Sequence, residues 1–133
     1  MTVPRMGCDV VDIARFAESL ARRPGFLDRV FTMQERADAT RDQAPMGTVH
    51  ARLAVRFAAK EATRKALGDL RLPFHAAEVR TAPDGAPHLF LNGEPARASL
   101  SLSHDGGIAM AVVAIERPTG TAANQAKEDD HAA

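Results

Sequence analysis

One run constrains this chain more than any other: Arg56-Phe57-Ala58-Ala59-Lys60-Glu61-Ala62-Thr63-Arg64-Lys65-Ala66-Leu67-Gly68. Alanine, leucine, lysine, arginine and glutamate lose little freedom in a helix, and Gly68 falls where a left-handed stop residue belongs. At about 100° per residue, Ala51, Ala54, Val55, Ala58, Ala62 and Ala66 share one face, and Arg56, Lys60 and Arg64 line the far side. Small side chains let backbones approach, so another element should pack closely on the alanine face. Glu61 and Lys65 stand at the border between the two faces. An exposed pair at this spacing contributes only about 0.2–0.5 kcal/mol, so helix stability explains them weakly. Beside a close-packed face, the same two groups can hold a metal and a phosphate.

A second segment near the start, Met6-Gly7-Cys8-Asp9-Val10-Val11-Asp12-Ile13-Ala14-Arg15-Phe16, strengthens the metal reading. Gly7 to Val11 is short and apolar, so it reads as a buried strand interrupted by one charge, Asp9. A buried carboxylate needs a partner; the plain alternatives are a turn cap or an arginine pair. Asp12 fits a helix N-cap, and Ile13, Phe16, Ala17 and Leu20 follow at helical spacing, with Arg15 and Arg22 on the other face.

The third informative segment runs from Ser99 to Glu116 and reads as two strands around a tight turn. Leucine alternates with serine, then His104, Asp105, Gly106 and Gly107 make the tip, and an apolar run follows. The order Ser103-His104-Asp105 suggests a hydrolase triad. Consecutive residues of an extended chain point to opposite faces, so these three cannot assemble one by themselves.

Elsewhere the signals are structural. Thr32-Met33-Gln34-Glu35 fits a capping box that opens a helix after the short segment Phe26 to Phe31. Asp38 to Met46 is polar and bounded by Pro45 and Gly47, which predicts a loop. Past Gly68, Ala77 to Thr81 and Pro87 to Leu91 form a strand pair around Pro83-Asp84-Gly85, and Asn92-Gly93 marks another turn.

Together the three segments resemble the holo-acyl-carrier-protein synthase family, the small single-domain class of 4'-phosphopantetheinyl transferases. The family pattern is G-x-D-h-h-x-h-x-R-F near the start, R-F-A-A-K-E-A-x-x-K-A-L-G in the middle and S-L-S-H near the end. All three occur here in order, and the resemblance spans Met6 to Glu116. It implies transfer of phosphopantetheine from coenzyme A to a serine of an apo acyl carrier protein, with release of adenosine 3',5'-bisphosphate. The carriers served by such enzymes belong to fatty acid or polyketide synthesis.

The resemblance also implies roles. Asp9 and Glu61 would hold Mg²⁺ with the coenzyme pyrophosphate, a cation that wants oxygen ligands and commonly shares one or two carboxylates with substrate phosphates. Lys65 would neutralise the phosphate under attack, and Arg56 and His104 would position the nucleotide end and its 3'-phosphate. Glu61, directly or through a metal-bound water, is the candidate base. Family members are trimers with active sites between neighbouring subunits. They also commonly carry a further helical stretch before the last hairpin, for which Glu94 to Ala98 leaves almost no room here.

The implied architecture is α+β: an N-terminal strand and helices packed on a small antiparallel sheet, the 4'-phosphopantetheinyl transferase fold. The expected transferase domain is residues 1–117, followed by a disordered tail over 118–133. Formal net charge is zero, yet residues 1–72 hold 13 basic and 9 acidic side chains, against 4 and 8 in residues 73–133. Acyl carrier proteins are typically acidic, so Arg15, Arg22 and Arg23 are the expected docking residues by complementary charge. Zero net charge and the absence of Trp, Tyr and any nucleic-acid motif argue against a nucleic-acid partner. The chain has one cysteine, Cys8, expected in the buried strand. No apolar stretch reaches the roughly 18 residues of a membrane span or forms a signal-peptide core. These features point to the cytoplasm. The competing reading is a non-catalytic nucleotide-binding or carrier-binding module that keeps the fold.

Overall fold

The alanine face finds its partner in a strand backbone. The computed structural model describes residues 3–116, so the expected tail lies outside the described residues. Strand β1 (Arg5–Asp12) is followed by helices α1 (Ile13–Arg22), α2 (Phe26–Val30), α3 (Met33–Thr40) and α4 (Met46–Leu67). Then come strands β2 (Ala77–Thr81), β3 (Pro87–Leu91), β4 (Glu94–Pro95), β5 (Ala98–Asp105) and β6 (Ile108–Ile115). Two antiparallel three-stranded sheets result, in the orders β1-β6-β5 and β2-β3-β4. The long helix α4 packs on β1 and β6, and the α+β expectation holds.

Gly7 sets the distance between β1 and α4. A Cβ at this position would lie 2.0 Å from the Ala62 carbonyl oxygen and 2.9 Å from the Ala66 nitrogen. Only a residue without a side chain lets strand and helix backbones meet this closely. Strand side chains alternate, so Asp9, two residues on, faces α4 as well. The ladder pairs Gly7 with Val113 and Asp9 with Ala111, and both partners are fully buried under the helix.

Local sequence rules account for the element ends. The Asp12 side chain caps α1 by accepting from the Arg15 amide at 2.9 Å. Thr32 and Glu35 form a reciprocal capping box on α3. Gly68 closes α4 in the left-handed region at φ 67°. The polar loop expected from Asp38 to Met46 is shorter than its composition suggests, because α3 runs to Thr40 and α4 begins at Met46 behind Pro45. The segment after Asn92-Gly93 forms β4 and leads straight into β5, with no intervening helix.

One finding extends the sequence reading and one corrects it. First, the far side of α4 is covered as well: Arg56 and Lys60 are buried at 5% and 1% exposure, because α3 and β2 pack on the face opposite the alanines. Lys60 Nζ lies 2.7 Å from Glu35 Oε1 and donates to the carbonyls of Phe74 at 2.8 Å and Ala77 at 2.7 Å. Burial pushes its pKa below the usual lysine value, while Glu35 works against that shift. Glu35 also accepts from the Val79 amide at 3.0 Å, so one carboxylate ties α3, α4 and β2 together. Second, β1 is an edge strand rather than a buried one. Its outer face leaves Cys8 exposed, with Met6 at 64% and Val10 at 65%.

Candidate active site

The close approach at Gly7 delivers Asp9 to the bordering residues of α4. Lys65 Nζ lies 3.1 Å from Asp9 Oδ1 and donates to the Cys8 carbonyl at 3.0 Å. Glu61 stands one turn earlier on the same helix, its Oε1 3.5 Å from Arg64 Nη1. The Asp9 and Glu61 side chains keep 19% and 27% exposure, enough to meet a ligand. Both line one cavity of about 350 Å³, together with Arg15, Phe16, Arg23, Phe26 and Phe57. The three phenylalanines pack on one another, with ring centroids 5.5–6.1 Å apart. Such a cavity has an apolar wall, an acidic pair and basic residues around it.

Other expected residues are placed elsewhere. Arg15 and Arg23 line this cavity; Arg22 is exposed on the same helix and does not. Arg56 lines a different cavity of about 310 Å³ with Arg41, Thr81, Gly85 and Ser101. Its Nη1 donates to the Arg52 carbonyl and its Nη2 to Thr81 Oγ1, both at 2.9 Å, while its buried Nε has no partner. Burial pushes the Arg56 pKa down, opposed by Asp38 and Glu35. A charged fork with an unsatisfied donor beside an open cavity suits an anion. His104 is exposed near the tip of the β5–β6 hairpin, opposite Ala109, and lines neither cavity. A larger cavity than either, about 780 Å³ between α1, α3 and α4, is walled by residues such as Leu20, Leu27, Val49 and Leu53. None of the candidate catalytic residues opens into it, so chemistry rather than volume locates the site.

The donor set fits Mg²⁺. Asp9 and Glu61 offer hard oxygen ligands from two separate elements at one cavity, and such a cation often takes only one or two carboxylates when phosphates and waters complete its shell. Among the described residues no group of three His, Cys, Asp or Glu gathers, so nothing here forms an all-protein metal cage.

Comparison with known proteins identifies the family. The 4'-phosphopantetheinyl transferase superfamily matches residues 5–115. The chain belongs to this family. A holo-[acyl-carrier-protein] synthase of Salinispora arenicola is 47% identical over 84% of this chain and 97% of its own. One from Frankia alni is 44% identical over 87% and 99%. Among solved structures, a holo-(acyl-carrier-protein) synthase from Bacillus anthracis in complex with CoA (3',5'-ADP) superposes with a TM-score of 0.74. Its identity is 29%, covering 89% of this chain and all of that one. A synthase–CoA complex from Chronobacterium ammoniagenes gives the same TM-score at 30% identity, covering 88% and 99%. This chain is therefore an enzyme of the holo-acyl-carrier-protein synthase group within the superfamily.

Proposed function

We propose that this enzyme transfers 4'-phosphopantetheine from coenzyme A to a serine of an apo acyl carrier protein, with Mg²⁺, through a domain spanning residues 1–117. The observation that carries this reading is that Asp9 and Glu61, from β1 and α4, line one cavity, with Lys65 paired to Asp9 at 3.1 Å. Mg²⁺, held by Asp9 and Glu61, would offset negative charge on the pyrophosphate. Lys65 binds the phosphate being attacked, and Glu61 takes the serine proton, directly or through a water. The serine oxygen forms the new bond to the β-phosphorus. The bond to the bridging oxygen breaks, and its electron pair leaves with adenosine 3',5'-bisphosphate. Phosphoryl transfer relies chiefly on positioning and charge stabilisation, so this small set suffices.

The Arg56 cavity supports a place for the nucleotide end and its phosphate. It involves β5, whereas Asp9 sits on β1, and these are the two edges of one sheet. Head-to-tail contacts that close generate a ring, so a homotrimer can bring the β5 edge of one copy beside the β1 edge of the next. The outer sheet face supports such contacts, with Met6, Val10, Ile108 and Met110 exposed by 42–65%. His104 would reach the coenzyme only across that contact. Dilution should then remove trimer and turnover together; a fully active monomer on a sizing column refutes shared sites.

Carrier docking falls to α1. Arg15 and Arg23 at the cavity rim and Arg22 beside them offer three positive charges to an acidic partner. Reversing charge at Arg15 and Arg22 should raise the carrier KM about tenfold at low salt and flatten its salt dependence. Unchanged kinetics at low salt removes them from the docking surface. An exposed, unpaired Cys8 suits a reducing compartment, so the proposal places the enzyme in the cytoplasm. Among the described residues no helix is long and apolar enough to cross a membrane. The direct test incubates the protein with coenzyme A, Mg²⁺ and an apo carrier and weighs the carrier. A phosphopantetheine mass increase is expected; its absence across fatty acid and polyketide carriers overturns the assignment.

A further inference from the structure

The two candidate metal-ligating carboxylates are each paired with a cation, and only one of these cations belongs to the family pattern; Asp12, which also lines the cavity, caps α1. Asp9 is paired with Lys65 at 3.1 Å, Glu61 with Arg64 at 3.5 Å. Arg64 occupies an unspecified position of the central motif. It is nevertheless held more firmly than a surface helix pair requires. Its Nε donates to the Leu72 carbonyl at 2.8 Å, and its guanidinium carbon lies 3.7 Å from the centroid of the Phe74 ring. The Phe74 ring in turn packs on Phe57, a wall residue of the cavity, at 5.8 Å. The Arg64 side chain retains only 15% exposure. A planar cation fixed by its edge and its face cannot swing freely, so its Nη1 stays directed at Glu61. Arg64 does not line the cavity; it stands behind the carboxylate that does.

We infer that Arg64 is a positioning residue that makes the site take a divalent cation and the coenzyme pyrophosphate as a unit rather than singly. This rests on the proposed role of Glu61 as a metal ligand. The formal charges of Asp9, Glu61, Lys65 and Arg64 cancel. A lone dication therefore meets two carboxylates whose charge is already balanced, in a cavity that Asp12, Arg15 and Arg23 also line, and Coulomb repulsion from Arg64 doubles with its second charge. A pyrophosphate arriving with the dication reverses that balance. The anion takes up the positive field of Arg64 and Lys65, and the carboxylates turn to the cation. Arg64 also fixes the Glu61 rotamer, which by itself favours metal binding. The two effects oppose each other for the bare ion. The charge effect dominates because it acts on a dication in a partly desolvated cavity, whereas the ordering concerns a single side chain.

The opposed signs supply the test. Mn²⁺, a paramagnetic substitute for Mg²⁺, is titrated into the full chain with and without coenzyme A, and free Mn²⁺ is read by electron paramagnetic resonance. In Arg64→Gln, bare Mn²⁺ should bind at least threefold more tightly than in the wild type, while the gain produced by coenzyme A shrinks at least threefold. Arg64→Lys keeps the charge and should leave bare Mn²⁺ affinity within twofold of the wild type. A purely structural role would weaken both affinities in Arg64→Gln, and that result overturns the inference. So does Arg64→Lys tightening bare Mn²⁺ as much as Arg64→Gln. Glu61→Gln separates the two levels: Mn²⁺ affinity unchanged in that variant overturns the metal reading itself, and this inference with it. Loss of Mn²⁺ binding there, with both affinities weakened in Arg64→Gln, overturns the inference alone.

Discussion

Glu61→Gln is expected to lower kcat for phosphopantetheine transfer by about a thousandfold while leaving the fold in place. The substitution keeps size and shape and removes only the charge and the proton-accepting oxygen. General-base assistance alone accounts for about 10²–10⁴ in rate. The loss of one of two carboxylates from the proposed cation site adds to it. Structure gives little reason for collapse: among the described residues the ion pair lost is Arg64–Glu61 at 3.5 Å, part-exposed and worth at most about 1 kcal/mol after solvent screening. Urea unfolding curves of variant and wild type should therefore nearly coincide while turnover separates them. The same carrier mass assay, run at saturating Mg²⁺ and coenzyme A, reads the effect. Transfer at the wild-type rate rejects Glu61 as base and ligand, whatever family the chain belongs to.

How much of this was legible beforehand differs from element to element. The strand pair Ala77–Thr81 and Pro87–Leu91 has the expected bounds, because Pro83, Gly85 and Asn92-Gly93 punctuate the chain and local turn chemistry decides there. The meeting of Asp9 with Lys65 was accessible through motif resemblance, and Gly7 is the physical reason for it: a small residue in the strand against small residues on the helix. Helical periodicity sets Arg56 and Lys60 opposite the alanines, but it does not disclose whether that face meets water or protein. Here both sides of α4 are covered. Lys60 is tolerated inside because Glu35, Phe74 and Ala77, all distant in sequence, satisfy its ammonium. Glu35 was read as a cap, which it is; its second oxygen bonds Val79, a contact no local rule announces. Cys8 was misplaced for a similar reason. A short apolar run does not disclose whether its strand lies inside a sheet or at the edge. The outer faces of β1 and β6 carry apolar side chains that the single chain leaves uncovered, and this suits an assembly better than an isolated monomer. The sequence places Arg64 on the far side of the helix and no more; its stacking on Phe74 requires the chain after Gly68 to fold back over α4.

Gly7→Ala should damage the enzyme more broadly than any single change at the carboxylates, through one methyl group. The new Cβ would sit 2.0 Å from the Ala62 oxygen, 2.9 Å from the Ala66 nitrogen and 3.0 Å from the Ala62 carbonyl carbon. All three are main-chain atoms of α4, so no rotamer change relieves the contact. Strand and helix must separate by about an ångström to restore ordinary van der Waals distances. Ala111 and Val113, packed without exposure in the same core, would lose contacts as the layers part. Overpacking of a core typically costs about 1–3 kcal/mol and occasionally more; a clash between two backbones belongs at or above the upper end. Function should fall further than stability, because β1 carries Asp9 away from Lys65 and Glu61 as it moves. A misplacement of that size near a reacting phosphate costs about a hundredfold in rate. Urea unfolding measures the first effect, and turnover corrected for the folded fraction measures the second. Ala62→Gly in the same chain should rescue neither, since the clashing atoms at residue 62 are main chain and remain. Recovery in that double variant, or wild-type turnover in Gly7→Ala alone, would show that β1 and α4 do not meet backbone to backbone.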